Sequence, residues 1–116
     1  MDENLETLSS NWIRGKNKLI GEKAVIDTVS GNNMSVARYT MHEKMNVAKH
    51  SHGYEQIVYV LKGKMILTIE DKDFTMKSGD IQVILSEQEH SASIVDVPYQ
   101  CIEFYSPKRN DMQLNK

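Results

Sequence analysis

Residues 57–69 read IVYVLKGKMILTI, two five-residue apolar runs, Ile57–Leu61 and Met65–Ile69, flanking Lys62-Gly63-Lys64. β-branched residues dominate, and runs this short are strand-length, well under the ~10–12 residues of a helix. The spacing predicts strands over Gln56–Leu61 and Lys64–Glu70. Lys62-Gly63 between them predicts a tight hairpin, with glycine supplying the positive φ of such a turn. Nearly every position of both runs is apolar, so both faces should be covered, by a second sheet or by a dimer contact.

Outward from this pair the same texture repeats. Turn chemistry at Ser30-Gly31-Asn32-Asn33, Glu70-Asp71-Lys72-Asp73, Ser78-Gly79-Asp80 and Asp96-Val97-Pro98 separates short apolar runs. The remaining predicted strands are Ala24–Val29, Met34–His42, Phe74–Met76, Ile81–Leu85, Ser91–Val95 and Tyr99–Tyr105. No helix-length periodic window occurs, so the chain reads as all-β, and eight strands suit a jelly roll. With 116 residues there is room for one core. The expected organisation is a polar N-terminal leader over 1–17, a single barrel over 18–108 and a C-terminal tail over 109–116. Within the leader, Trp12 and Ile13 are expected to dock on the body or on another subunit.

Composition narrows the function classes. A formal charge of −2 and dispersed lysines and arginines leave no basic patch for a phosphate backbone, so nucleic acid is not an expected partner. The acidic start MDENLETLSSNW is not a secretory signal, and no apolar run approaches the ~20 residues of a membrane span. The lone Cys101 fits a reducing compartment, and the expected location is the cytoplasm. The methionines Met34, Met41, Met45, Met65 and Met76 scatter through strand patterns and read as core filler. His42 stands at a strand end without partner spacing and should be exposed.

The chemistry-bearing residues are histidines. His50 and His52 are two apart, so on an extended chain both rings point to one face. Gln56 follows four residues later, and His90 comes after Gly79-Asp80 and a strand. Neutral imidazole suits zinc, nickel, copper and iron, whereas calcium or magnesium calls for oxygen-rich ligands.

The order of these residues resembles the two motifs of the cupin superfamily, H-x-H-x(3–4)-E-x(6)-G and G-x(5)-P-x-G-x(2)-H-x(3)-N, at His50, His52, Gln56, Gly63, Gly79 and His90. The resemblance covers most of residues 45–105 and implies a double-stranded β-helix barrel holding one divalent transition metal (Zn, Ni, Mn or Fe) on His50, His52, Gln56 and His90. Gln56 replaces the usual glutamate, which leaves more of the metal's charge uncompensated and favours an anionic substrate. Leu85 and Glu87 replace the proline and glycine of the second motif, and its final asparagine is missing.

The stretch Cys101-Ile102-Glu103-Phe104-Tyr105-Ser106-Pro107-Lys108-Arg109 is similar to the tail of the small pectin-degradation cupins, which open the ring of 4,5-unsaturated monouronates. That resemblance implies a lyase or isomerase with catalytic Glu103, Tyr105 and Arg109. Arg109 would pair with the substrate carboxylate, and Glu103 or Tyr105 would move the proton. Glu103, Tyr105 and Cys101 share one strand face, and an acid inside an apolar barrel is costly unless it serves a site. The bland alternative is a surface Glu103–Arg109 ion pair after an edge strand. Two other functions use the same scaffold, a metal-dependent dioxygenase and a non-catalytic small-ligand-binding module. The small size and the all-apolar strands point to a homodimer.

Overall fold

The computed structural model describes residues 12–112 and 114. The polar leader up to residue 11 lies outside them. The elements are β1 Ile13–Arg14, a 3₁₀ turn Gly21–Lys23, β2 Ala24–Ser30, β3 Ser35–Met41, β4 Met45–His50, β5 Glu55–Ile69, β6 Lys72–Lys77, β7 Ile81–Ile84 and β8 His90–Ser106. All pairings are antiparallel. No helix among the described residues is long and apolar enough to cross a membrane.

β5 and β8 organise the barrel because each runs through both of its layers. The first half of β5 pairs with β7 and with the C-terminal half of β8, which continues through β3 and β2 to β1. The second half of β5 pairs with β6 and with the N-terminal half of β8, which pairs on its far side with β4. Two sheets thus face one another, joined by two shared strands, in the all-β jelly-roll arrangement.

Lys62-Gly63 is therefore not a hairpin, and Asp96-Val97-Pro98 does not end a strand. Both lie where β5 and β8 bend together from one sheet to the other, with register shifts between Val60 and Met65. Gly63 has φ +82, and a Cβ there would lie 2.6 Å from the Asp96 carbonyl oxygen and 2.7 Å from that of Pro98. Glycine is needed at the corner for close backbone approach, a role that spacing alone does not distinguish from a turn.

The strand alternation sets the core. β3 alternates strictly, burying Ser35, Ala37, Tyr39 and Met41, while β5 buries Val58, Val60, Met65, Leu67 and Ile69. Among the described residues nothing fully covers the opposite face of β5: Ile57 and Tyr59 are half-buried and Leu61 is exposed. Ile57 and Tyr59 lie in register with exposed Val83 and Ile81 of β7. Met41, Met65 and Met76 fill the core as expected and Met45 is partly buried against it, whereas Met34 is 51% exposed, because it precedes β3 in the 31–34 turn. His42 is exposed, as its position implied.

The N-terminal segment docks on its own barrel. Ile13 and Arg14 extend the sheet beside Thr28 and Asp27, and the Arg38 guanidinium lies 4.3 Å from the centre of the Trp12 ring.

Candidate metal centre

His50 and His52 come from the end of β4 and the loop after it, and His90 is the first residue of β8. β4 pairs directly with β8, and His50 is opposite His90 in the register. Ring centres are 5.6 Å apart for His50 and His52, 4.2 Å for His50 and His90, and 4.7 Å for His52 and His90. One ring nitrogen from each converges within 4.8 Å of the others.

Backbone carbonyls fix the tautomers. Nδ1 lies 2.7 Å from the Ala48 oxygen in His50, 3.0 Å from the Tyr54 oxygen in His52 and 2.9 Å from the Gln88 oxygen in His90. A carbonyl only accepts, so each Nδ1 carries the proton and donates it, leaving three Nε2 lone pairs free to ligate. Burial pushes His52 below the usual histidine range and His90 down to about 4, with the neighbouring imidazoles adding to both shifts. Both rings are neutral at pH 7, the form that binds metal.

The altered second motif keeps its turn. Glu87, standing where the cupin pattern has glycine, adopts φ +68, and its N–H donates to the His52 carbonyl at 2.8 Å. The Ser86 hydroxyl donates to the Gly53 carbonyl at 3.1 Å. These bonds tie the loop before His90 to the loop carrying His52, so the backbone holds the geometry without the usual residues.

Gln56 projects from the same wall. Its Oε1 lies 3.0 Å from His52 Nε2, and its Nε2 donates to Glu103 Oε1 at 2.8 Å. Tyr105 donates to the same Glu103 oxygen at 2.6 Å. The single Tyr105 proton is thereby committed, so the Tyr39 hydroxyl donates to Tyr105 at 2.9 Å and accepts in turn from Asn17 Nδ2 at 2.9 Å. Burial raises Glu103 above the usual carboxylate range, opposed by Tyr105 and Arg109. Glu103 Oε2 has only the Cys101 thiol, at 3.8 Å. That thiol is itself buried, and burial raises its pKa well above the ordinary value.

These groups open on a cavity of about 80 Å³ in the barrel interior. His50, His52, His90, Gln56, Glu103 and Arg109 all line it. Tyr105 does not; it is 1% exposed and stands behind Glu103. Arg109 lies over the rings of Tyr54 and Tyr105, 4.9 Å from each centre, and its ion pair is with Asp111. A surface Glu103–Arg109 pair is therefore not what the chain forms. Position in sequence gave no signal for Asn17, Tyr54 or Asp111. Only Tyr39, on the inward parity of β3, had a periodicity that could have pointed to it.

The donor set fits a divalent transition metal. Three Nε2 lone pairs converge beside an amide oxygen, and every ligand ring is anchored through its other nitrogen, as metal-bound histidines are.

Comparison with known proteins agrees with this fold. The cupin domain family matches residues 37–97. Among solved structures the chain is similar to KdgF from Halomonas sp., with TM-score 0.75 and 18% identity, covering 84% of this chain and 88% of that one. A cupin from Shewanella frigidimarina described as RmlC-like gives TM-score 0.72 and 17% identity over 85% and 87% of the two chains. Oxalate decarboxylase from Bacillus subtilis, described with Mn(II) centres, gives TM-score 0.65 and 15% identity over 81% of this chain and 29% of that one. No curated protein matches.

Proposed function

The chain belongs to the cupin domain family, and we propose that it is a metal-dependent enzyme opening the ring of 4,5-unsaturated monouronates, a lyase or isomerase acting on a small acidic sugar. The observation that carries this is the bond from Gln56 to Glu103, which puts a carboxyl group in the cavity wall one residue away from the three imidazoles. The resemblance of residues 101–109 to the pectin-degradation cupins supports it, in line with the structural similarity to KdgF.

On this reading His50, His52, His90 and Gln56 hold the metal, which would supply a Lewis acid for the ring oxygen or carboxylate. Ring opening of a cyclic enol ether takes the proton of the anomeric hydroxyl as the C1–O bond breaks, and returns a proton to C4 as the enol becomes a ketone. Glu103 is the group for both transfers: it lines the cavity, Oε1 is saturated by Tyr105 and Gln56, and among the described residues Oε2 has only the long Cys101 thiol contact at 3.8 Å. Its raised pKa brings it nearer the operating pH, where a proton carrier is most effective. Tyr105 holds Glu103 from behind, and Arg109 is the cation for the substrate carboxylate.

The test is incubation of zinc-, nickel-, manganese- and iron-loaded protein with a 4,5-unsaturated monouronate, following loss of the ultraviolet absorbance of the conjugated acid. Wild-type turnover abolished in Glu103→Gln supports the reading. Oxygen consumption by the iron form without uronate turnover would favour the dioxygenase, and binding without turnover in any form would favour the ligand-binding module.

We further propose that the working unit is a cytoplasmic homodimer. Ile57, Tyr59, Ile81 and Val83 form a contiguous apolar outer face, and a two-fold contact between copies would cover it. The free, buried Cys101 suits a reducing compartment.

A further inference from the structure

Arg109 is held by its surroundings in an unusual way. Nε donates to Asp111 Oδ1 at 3.1 Å and Nη2 to Asp111 Oδ2 at 2.8 Å, a two-pronged contact along one edge of the guanidinium. Tyr54 and Tyr105 lie together on one side of it, each ring centre 4.9 Å away and the two rings 5.4 Å apart and nearly perpendicular. What remains is the other edge, formed by Nη1 and the second Nη2 proton, for which no acceptor lies within bonding distance among the described residues. No side-chain nitrogen or oxygen among them is buried without a partner, so that edge keeps access to open space. The Arg109 side chain is only 10% exposed and lines the barrel cavity. Arg109 is also the one lysine or arginine among the described residues of the cavity wall.

Asp111 is in turn fixed by contacts of its chain neighbours with the N-terminal segment and with β3. The next residue, Met112, is buried at 3% exposure, and its carbonyl accepts from the Lys16 N–H at 2.8 Å. Gly15 permits that approach, since a Cβ there would lie 2.7 Å from the Met112 oxygen. On the other side the Arg109 N–H donates to the Ser35 hydroxyl at 2.9 Å. The segment 109–112 is clasped at both ends, and the short Asp111 side chain reaches back two residues to grip the guanidinium.

We propose that Asp111 is a positioning residue, holding Arg109 by its Nε/Nη2 edge so that the opposite edge faces the cavity and receives the carboxylate of a small ligand. This rests on the functional reading above, in which Arg109 pairs with a substrate carboxylate. A guanidinium offers two edges that match a carboxylate. Using one for an internal acid and one for a ligand gives a fixed orientation and a charge-assisted contact together.

The experiment is calorimetric titration of metal-free and zinc-loaded protein with D-galacturonate and with its methyl ester. Arg109→Gln tests the acid-binding reading, and galacturonate affinity should fall roughly 10- to 100-fold. Asp111→Asn tests the proposal: galacturonate affinity should fall roughly three- to tenfold, equally with and without zinc, while the uncharged ester is unaffected. Unchanged or tighter galacturonate binding in Asp111→Asn, with Arg109→Gln still weakened, overturns the positioning role alone and makes Asp111 a bystander or a competitor for the guanidinium. Equal loss of acid and ester would mean a general structural role and also overturns it. If wild type does not bind galacturonate, or Arg109→Gln binds it normally, the acid-binding reading fails and the proposal fails with it.

Discussion

His52 Nε2 and Gln56 Oε1 stand 3.0 Å apart with a lone pair on each. The His52 proton is on Nδ1, facing the Tyr54 carbonyl, and both Gln56 amide protons are on the nitrogen that serves Glu103. Two acceptors at hydrogen-bond distance repel, and a cation between them relieves the repulsion. Burial opposes a proton on His52, and His52 belongs to a three-histidine cluster that could hold a metal ion.

Protein purified without chelator or histidine tag should accordingly carry close to one transition-metal ion per chain, measured by elemental analysis. His50→Ala, His52→Ala and His90→Ala should each weaken binding by at least about 100-fold, because even outer-shell partners of metal ligands contribute 10- to 100-fold. Metal retained at wild-type affinity in all three would remove the site.

The same contact explains why glutamine stands where the cupin pattern usually has glutamate. Glutamate at 56 would face Glu103 across the 2.8 Å now spanned by an N–H bond, with no proton between them. Gln56→Glu should destabilise the metal-free protein by about 1–3 kcal/mol at pH 7. Acidification should restore the loss, as one shared proton returns. Denaturant unfolding at pH 7 and pH 5 measures it, and a variant as stable as wild type at both would refute the account.

His90 couples stability to pH. Its folded-state pKa of about 4 lies below the ordinary value of 6.5, so between these limits the unfolded chain binds more protons. Stability of the metal-free protein therefore rises with pH across that window and is lost as pH falls through it. Glu103, whose pKa is raised, works in the opposite direction, so the His90 contribution is the difference between wild type and His90→Gln. That difference should grow steadily more unfavourable to wild type from pH 6.5 down to pH 4. A constant difference would contradict the burial of a neutral His90.

Glu87 holds a left-handed backbone at φ +68 with a side chain that disfavours it. Glu87→Gly should stabilise the fold by about 0.5–1 kcal/mol and leave metal affinity unchanged, since the bond from its N–H to the His52 carbonyl is made by backbone. A stability loss on thermal or denaturant unfolding would mean that the Glu87 side chain has a role of its own.

The outer face of β5 and β7 supplies the last prediction. A dimer at micromolar concentration in sedimentation should become a monomer in Ile81→Lys, where a charge replaces a side chain 60% exposed in the single chain. A wild-type monomer, or a variant that remains dimeric, would move the contact elsewhere or abolish it.

The fold class and the ligand types were legible because they depend on local order. Strand alternation, glycine-marked corners and the His50-x-His52 spacing are properties of consecutive residues, and they give an all-β barrel with two imidazoles on one face. The inward parity of Cys101, Glu103 and Tyr105 was legible for the same reason. Other features were not, because they join residues remote in sequence. The β4 strand was missed because Met45–His50 has too little apolar character to stand out, and it forms by pairing with β8. Gly63 has the sequence signature of a turn, yet it is a strand corner because the Asp96 and Pro98 carbonyls press against it.

The sequence by itself determined what kind of barrel forms and which side chains carry nitrogen and carboxylate lone pairs, since composition and period are written along the chain. Only the tertiary structure decided which lone pairs are free, that Glu103 is held by Gln56 and Tyr105, and that Arg109 lines the cavity while bound to Asp111. The reason is physical: a hydrogen bond commits a proton to one partner, and that partner is chosen by packing between segments that the sequence keeps far apart.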